Sequence, residues 1–225
     1  MSNKKLIWDL PTRLFHWLLV AGIAAQWLTA EYLDDAINWH FTIGYCLLGL
    51  ITFRLVWGFV GSRYARFSSY PFHPVKTFQY SKQMLNKDSD AHTGHNPMGS
   101  WVIIVMLLLI ALQAISGLFV TDDIFSDGPY RSLVSPQVQE TMAFIHFNFF
   151  DVLLWIIGLH IAAALFYQFY KRQAIITAMF SGKKESSDIG ITSQRLWLAL
   201  IVAVTVAALT YWLVIVLPPE PEFYY

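Results

Sequence analysis

Five stretches of this 225-residue chain stay apolar for about as long as a helix needs to cross a hydrocarbon core. They run near 14–30, 41–60, 101–120, 144–170 and 196–217. A bilayer leaves no water for backbone polar groups, so a spanning segment must be a helix or part of a closed barrel. Barrel strands would alternate apolar and polar residues and be about half as long. The expected fold is therefore an all-α integral membrane protein. The first stretch follows a short basic segment and carries Trp17, Gln26 and Trp27 without a small-residue cleavage site, so it is expected to stay in the chain.

Composition agrees and removes other classes. Charged residues make up 13%, where soluble domains average about 25%. The 15 basic and 15 acidic residues balance, which argues against a nucleic-acid binder built on bulk positive charge. The single cysteine, Cys46, leaves no internal disulfide, cysteine-ligated zinc or iron–sulfur cluster, and no Cys-x-x-Cys-His haem attachment.

Connections set the expected orientation. Lys4, Lys5 and Arg13 precede the first span, five basic residues lie in 61–100, and five more lie in 171–195. The loop 31–39 holds Glu31, Asp34 and Asp35 with nothing basic, and 121–143 holds four acids and only Arg131. With Arg54 at the inner end of the second span, 14 of the 15 basic residues fall on one side. The positive-inside rule then puts the N-terminus in the cytoplasm and the C-terminus outside. Between the second and third spans, Pro74 to Asn86 reads as a short amphipathic helix on the inner membrane surface.

Four histidines lie in or at the ends of spans: His16, His40, His146 and His160. Ionisable groups in a bilayer are costly and mark function by default. His146 and His160 are 14 residues apart, a rise of about 21 Å that returns the side chain to within about 40° of one face. His16 offers a partner at the inner depth and His40 at the outer depth. Two bis-histidine sites follow, His16 with His160 and His40 with His146, each suited to a low-spin b-type haem between helices. Gly44, one turn below His40, Gly117 and Gly158 would let a flat macrocycle approach. Arg54, 14 residues below His40, is placed to pair with inner haem propionates. Asp151 reads as a cap for a buried donor, with proton carriage as the alternative.

With these residues the chain resembles the b-type cytochrome subunits of membrane-bound nickel–iron hydrogenases and related bacterial di-haem cytochromes b. The resemblance runs from about Trp8 to Lys184. It rests on Arg13-Leu14-Phe15-His16-Trp17, the run from Phe53 to Tyr64 through Arg54, Trp57 and Gly58, Gly94-His95-Asn96-Pro97, and the spaced pair His146 and His160. It implies a four-helix transmembrane bundle with two b haems, the four histidines as iron ligands, and electron exchange with the quinone pool. Residues 1–184 would be that di-haem domain, and 185–225 an additional C-terminal span with a short outer tail.

The expected function is a multi-pass cytochrome of the bacterial inner membrane, relaying electrons between quinone and a periplasmic partner, a c-type cytochrome or a hydrogenase-like subunit. A stand-alone quinone-linked oxidase of a small reductant such as superoxide is the second reading; a non-catalytic anchor or haem carrier is the third. His95 and Asn96, at the inner mouth of the third span, would meet the quinone headgroup. His95 would be the proton-exchanging group and Asn96 a donor, with Gly99 leaving room for the ring.

Overall fold

A computed structural model describes residues 4–84, 92–122 and 126–219. Among the described residues seven helices carry the fold: α1 (Leu10–Glu31), α2 (Ile37–Val60), α3 (Pro74–Gln83), α4 (Pro97–Ser116), α5 (Pro136–Leu165), α6 (Ile175–Ser181) and α7 (Leu196–Tyr211). A tight 3-10 turn, Gly117–Phe119, extends α4, and widened π turns, Phe166–Tyr170 and Trp212–Val216, extend α5 and α7. Asn86, Lys87, Asp123, Glu220 and Glu222 lie outside the described residues, so the expected surface helix from Pro74 to Asn86 is seen as α3.

Four of these helices are long and apolar enough to cross a membrane: α2, α4 with its turn, α5 with its turn, and α7 with its turn. The sequence reading expected five. The helix outside that set is α1, whose 22 residues would rise about 33 Å but include Arg13, His16 and Gln26.

Helix starts follow local chemistry. Asp9 caps α1 by accepting from the Thr12 N–H at 2.7 Å, and Asn96 caps α4 by accepting from the Gly99 N–H at 2.6 Å. Helix α5 begins at Pro136, ahead of the apolar stretch that opens near 144. Proline is favoured at a first helical position, so the helix runs through polar Gln137, Gln139 and Glu140 before it becomes apolar.

Phe15 and Leu19 of α1, Leu47 and Ile51 of α2, Leu107 and Ile110 of α4, and Leu153 of α5 form one buried cluster. That cluster defines a four-helix bundle. Helix α7 lies outside it against α2, where a side chain at Gly49 would meet Thr210 at 3.4 Å. At one end of the bundle, β1 (Lys4–Leu6) pairs antiparallel with β2 (Lys183–Glu185), Lys5 opposite Lys184. These segments read as loops in the sequence, because Lys-Lys-Leu and Lys-Lys-Glu are too short to show alternation. Beneath the sheet Ile7, Trp8, Tyr64 and Ala178 form a second buried cluster. The Asp9 carboxylate also accepts from Ser62 Oγ and, at 3.4 Å, from Trp57 Nε1. It thereby ties the start of α1 to the end of α2 at this sheet end.

Candidate functional site

At the end of the bundle away from the sheet, α2 and α5 bring His40 and His146 together. Their ring centroids are 6.2 Å apart and their planes nearly perpendicular, at 82°. Two metal–nitrogen bonds of about 2 Å each, together with the half-widths of the rings, fill such a gap. The outward ring nitrogens are already engaged. His146 Nδ1 donates to the Gln113 carbonyl at 3.1 Å, and Ser116 Oγ lies 3.2 Å away. A carbonyl only accepts, so Nδ1 carries the proton and Nε2 keeps its lone pair. His40 Nδ1 meets Thr29 Oγ1 at 3.3 Å, and the Gln26 backbone is a further partner. Hydrogen bonds of this kind hold metal-ligating histidines in place. The donor set therefore fits an axial pair for a b-type haem.

At the sheet end, His16 of α1 lies within electrostatic reach of His160 of α5. His16 Nδ1 is buried and has no hydrogen-bond partner. His95 sits between Trp8 and Tyr70, with centroids at 4.6 and 4.5 Å. Burial, then the positive charges of Arg54 and Lys184, then His160 push its pKa down to about 3. At neutral pH His95 is therefore an uncharged donor and acceptor. Asn96 is committed through Oδ1 to the α4 cap, which leaves its amide nitrogen as the donor.

Arg54 is only 3% exposed. Its Nη2 donates to Tyr70 Oη at 2.6 Å, and its guanidinium covers the Phe67 ring at 4.9 Å. Nη1 is buried without a partner. A buried guanidinium nitrogen with no acceptor fits an anionic group such as a propionate.

The glycines divide. A side chain at Gly117 would meet His146 Cε1 at 3.0 Å, so this glycine backs the imidazole. At Gly44 it would meet Gln26 Nε2 at 2.9 Å. Gly158 meets nothing within 4 Å, and two residues along a helix turn it about 200° from His160. Gly158 is therefore on the side of α5 away from the imidazoles, which corrects its sequence placement. Asp151 is exposed rather than capping a buried donor, also turned away from both histidines. Sequence reasoning missed Thr29 and Gln113, though polar residues inside apolar spans were a usable signal. Trp8 and Tyr70, in short connections, gave no such signal.

Among the described residues no three His, Cys, Asp or Glu side chains gather as a protein-only metal site requires. Imidazoles paired between apolar helices define a class, the membrane cytochromes of b type. The chain belongs to the prokaryotic cytochrome b561 family, whose model matches residues 7–182. Two relatives carry the name probable Ni/Fe-hydrogenase B-type cytochrome subunit. The one from Rhizobium leguminosarum bv. viciae is 24% identical over 220 positions, covering 81% of this chain and 89% of its own. The one from Bradyrhizobium diazoefficiens is 22% identical over 223 positions, covering 81% and 86%. No solved structure matches the chain.

Proposed function

We propose that the protein is a di-haem cytochrome b that relays electrons across the bacterial inner membrane between quinone and a redox partner on the periplasmic face. The facing of His40 and His146 at 6.2 Å, with their Nδ1 atoms already engaged, carries this reading. The proximity of His16 and His160 supports a second site at the other depth. In this reading α1 spans with the other four, residues 1–184 form the di-haem domain, and 185–225 add α7 and its tail. The haems supply one-electron redox chemistry when bound. Four imidazoles would ligate them, and Arg54, whose buried Nη1 has no partner, would pair with a propionate. Gly44 keeps the α1–α2 seam narrow below His40.

The sheet end, which gathers the basic residues, is the cytoplasmic side. His95 and Asn96 stand there as neutral hydrogen-bonding partners for quinone carbonyls. The names of the two relatives favour a hydrogenase-like small subunit as the outer partner over a c-type cytochrome.

The test is the dithionite-reduced minus oxidised spectrum of purified protein, read with the haem-to-protein ratio. A split b-type α band and two haems per chain are expected. A chain purified from haem-replete cells with one haem or none refutes the di-haem reading.

A further inference from the structure

Helix α5 has a second, exposed face with its own chemistry. Phe144, Asn148, Asp151, Trp155, Gly158 and Ala162 are all exposed, and they follow one another at intervals of four and three residues. That alternation keeps them within about 80° of arc and is the spacing of a helix–helix seam. His160 is about 180° around the helix from Asp151, and His146 about 140°. The seam therefore points away from both imidazole pairs.

Its chemistry does not suit lipid. Asp151 lies about 7 Å along the helix axis from His146, inside the apolar part of α5, where a carboxylate facing hydrocarbon is costly. Among the described residues, none hydrogen-bonds or ion-pairs with it. Asn148 donates one amide hydrogen to the Phe144 carbonyl at 2.8 Å and retains a second. About two turns further into the membrane than Asp151, Gly158 and Ala162 form a small-xxx-small pair of the kind that lets membrane helices approach closely. A side chain at Gly158 would touch nothing.

We propose that this face docks a second copy of the chain, α5 against α5, about a twofold axis along the membrane normal. The face is complementary to itself. Donor Asn148 and acceptor Asp151 are one turn apart, about 4.5 Å in depth. In a parallel twofold pair each copy's Asn148 amide reaches the other's Asp151, and both sets are satisfied at once. Gly158 and Ala162 bring the helices together below, and Trp155 closes the seam between the polar and the small residues. The dimer places the four imidazole pairs on its two outer flanks, each still facing α1 and α2 of its own copy.

The experiment uses the full-length haem-loaded protein in vesicles, with Cys46→Ser as background. Asn148→Cys is expected to form a disulfide-linked dimer under mild oxidation, and Leu108→Cys, exposed on α4, is not. Energy transfer between labelled copies measures the monomer–dimer equilibrium. Asn148→Leu with Asp151→Leu, and separately Gly158→Ile, should each weaken it at least tenfold while both haems stay bound. Wild-type protein that is monomeric at every protein-to-lipid ratio overturns the proposal. So does equal cross-linking at 148 and 108, or undiminished dimer in both variants. A copy that pairs only when another protein's transmembrane helix is supplied also overturns it, in favour of a foreign helix.

Discussion

Replacing Gly117 by alanine tests the far-end site without touching a ligand. Gly117 has helical backbone angles, φ −59° and ψ −21°, so alanine brings no backbone strain. Its Cβ would stand 3.0 Å from His146 Cε1 and 3.4 Å from Nδ1, where carbon atoms prefer about 3.5–4.0 Å. The imidazole must withdraw by roughly 0.5 Å. Withdrawal along that line lengthens the Nδ1 to Gln113 bond from 3.1 Å to about 3.5 Å, beyond good hydrogen-bond geometry. Losing such an outer partner typically weakens metal binding by about 10–100-fold, about 1.4–2.7 kcal/mol. Haem transfer to an apoglobin acceptor, followed by absorption, reads the affinity; a potentiometric titration follows each haem separately. Gly117→Ala should release one haem faster and shift its midpoint, leaving the other unchanged. Gly44→Ala, whose Cβ meets only the mobile end of Gln26, should retain both. Wild-type affinity and midpoints for both haems in Gly117→Ala would refute the assignment of His146 as a ligand held by Gln113.

His16→Ala and His160→Ala should remove the same haem and His40→Ala and His146→Ala the other, as read by midpoint and α-band position; a crossed pattern breaks the pairing. His95→Ala with Asn96→Ser should keep both haems but slow their reduction by a quinol analogue at least tenfold in stopped flow; wild-type rates sink the quinone assignment. Because His95 has a folded pKa lowered to about 3, the unfolded chain takes up a proton first as pH falls below about 6.5. Stability is therefore lost between about pH 6.5 and pH 3, by roughly 3 kcal/mol at pH 4. His95→Phe, which keeps an aromatic ring between Trp8 and Tyr70, should flatten the Tm-versus-pH curve there; equal slopes would show that His95 is not held neutral. A periplasm-active reporter fused after Leu217 should be active and one inserted after Gly190 inactive; the reverse would invert the bundle in the membrane.

The paired histidines were legible because 14 residues nearly close four helical turns, a relation that survives any detail of packing. The same arithmetic misled where it was not carried through. Gly158 is next but one to His160 in sequence, yet that interval points it to the opposite side of α5. Asp151, expected to cap a buried donor, is instead exposed, because its phase on α5 turns it away from both histidines. Helix α5 starts early because proline at its first position favours a helix start there, not because of hydrophobicity. The sheet of Lys4–Leu6 with Lys183–Glu185 was invisible, since three-residue strands so far apart in sequence carry no periodicity. Thr29 and Gln113 show how much of the site rests on residues whose meaning appears only when two helices meet.

Both imidazole pairs are closed by one helix, α5, and this sets a schedule for biosynthesis. While the first 135 residues are made and inserted, His16 and His40 are present and neither has its counterpart. Strand β1 waits longer, until Lys183–Glu185 emerges, some 9–36 s after its own synthesis at about 5–20 residues per second. In the proposed di-haem arrangement, cofactor capture is therefore a late event that begins at both depths only after α5 enters the membrane. A ribosome stalled before residue 136 would leave an inserted chain in which His16 and His40 both lack the α5 histidine proposed to pair with them.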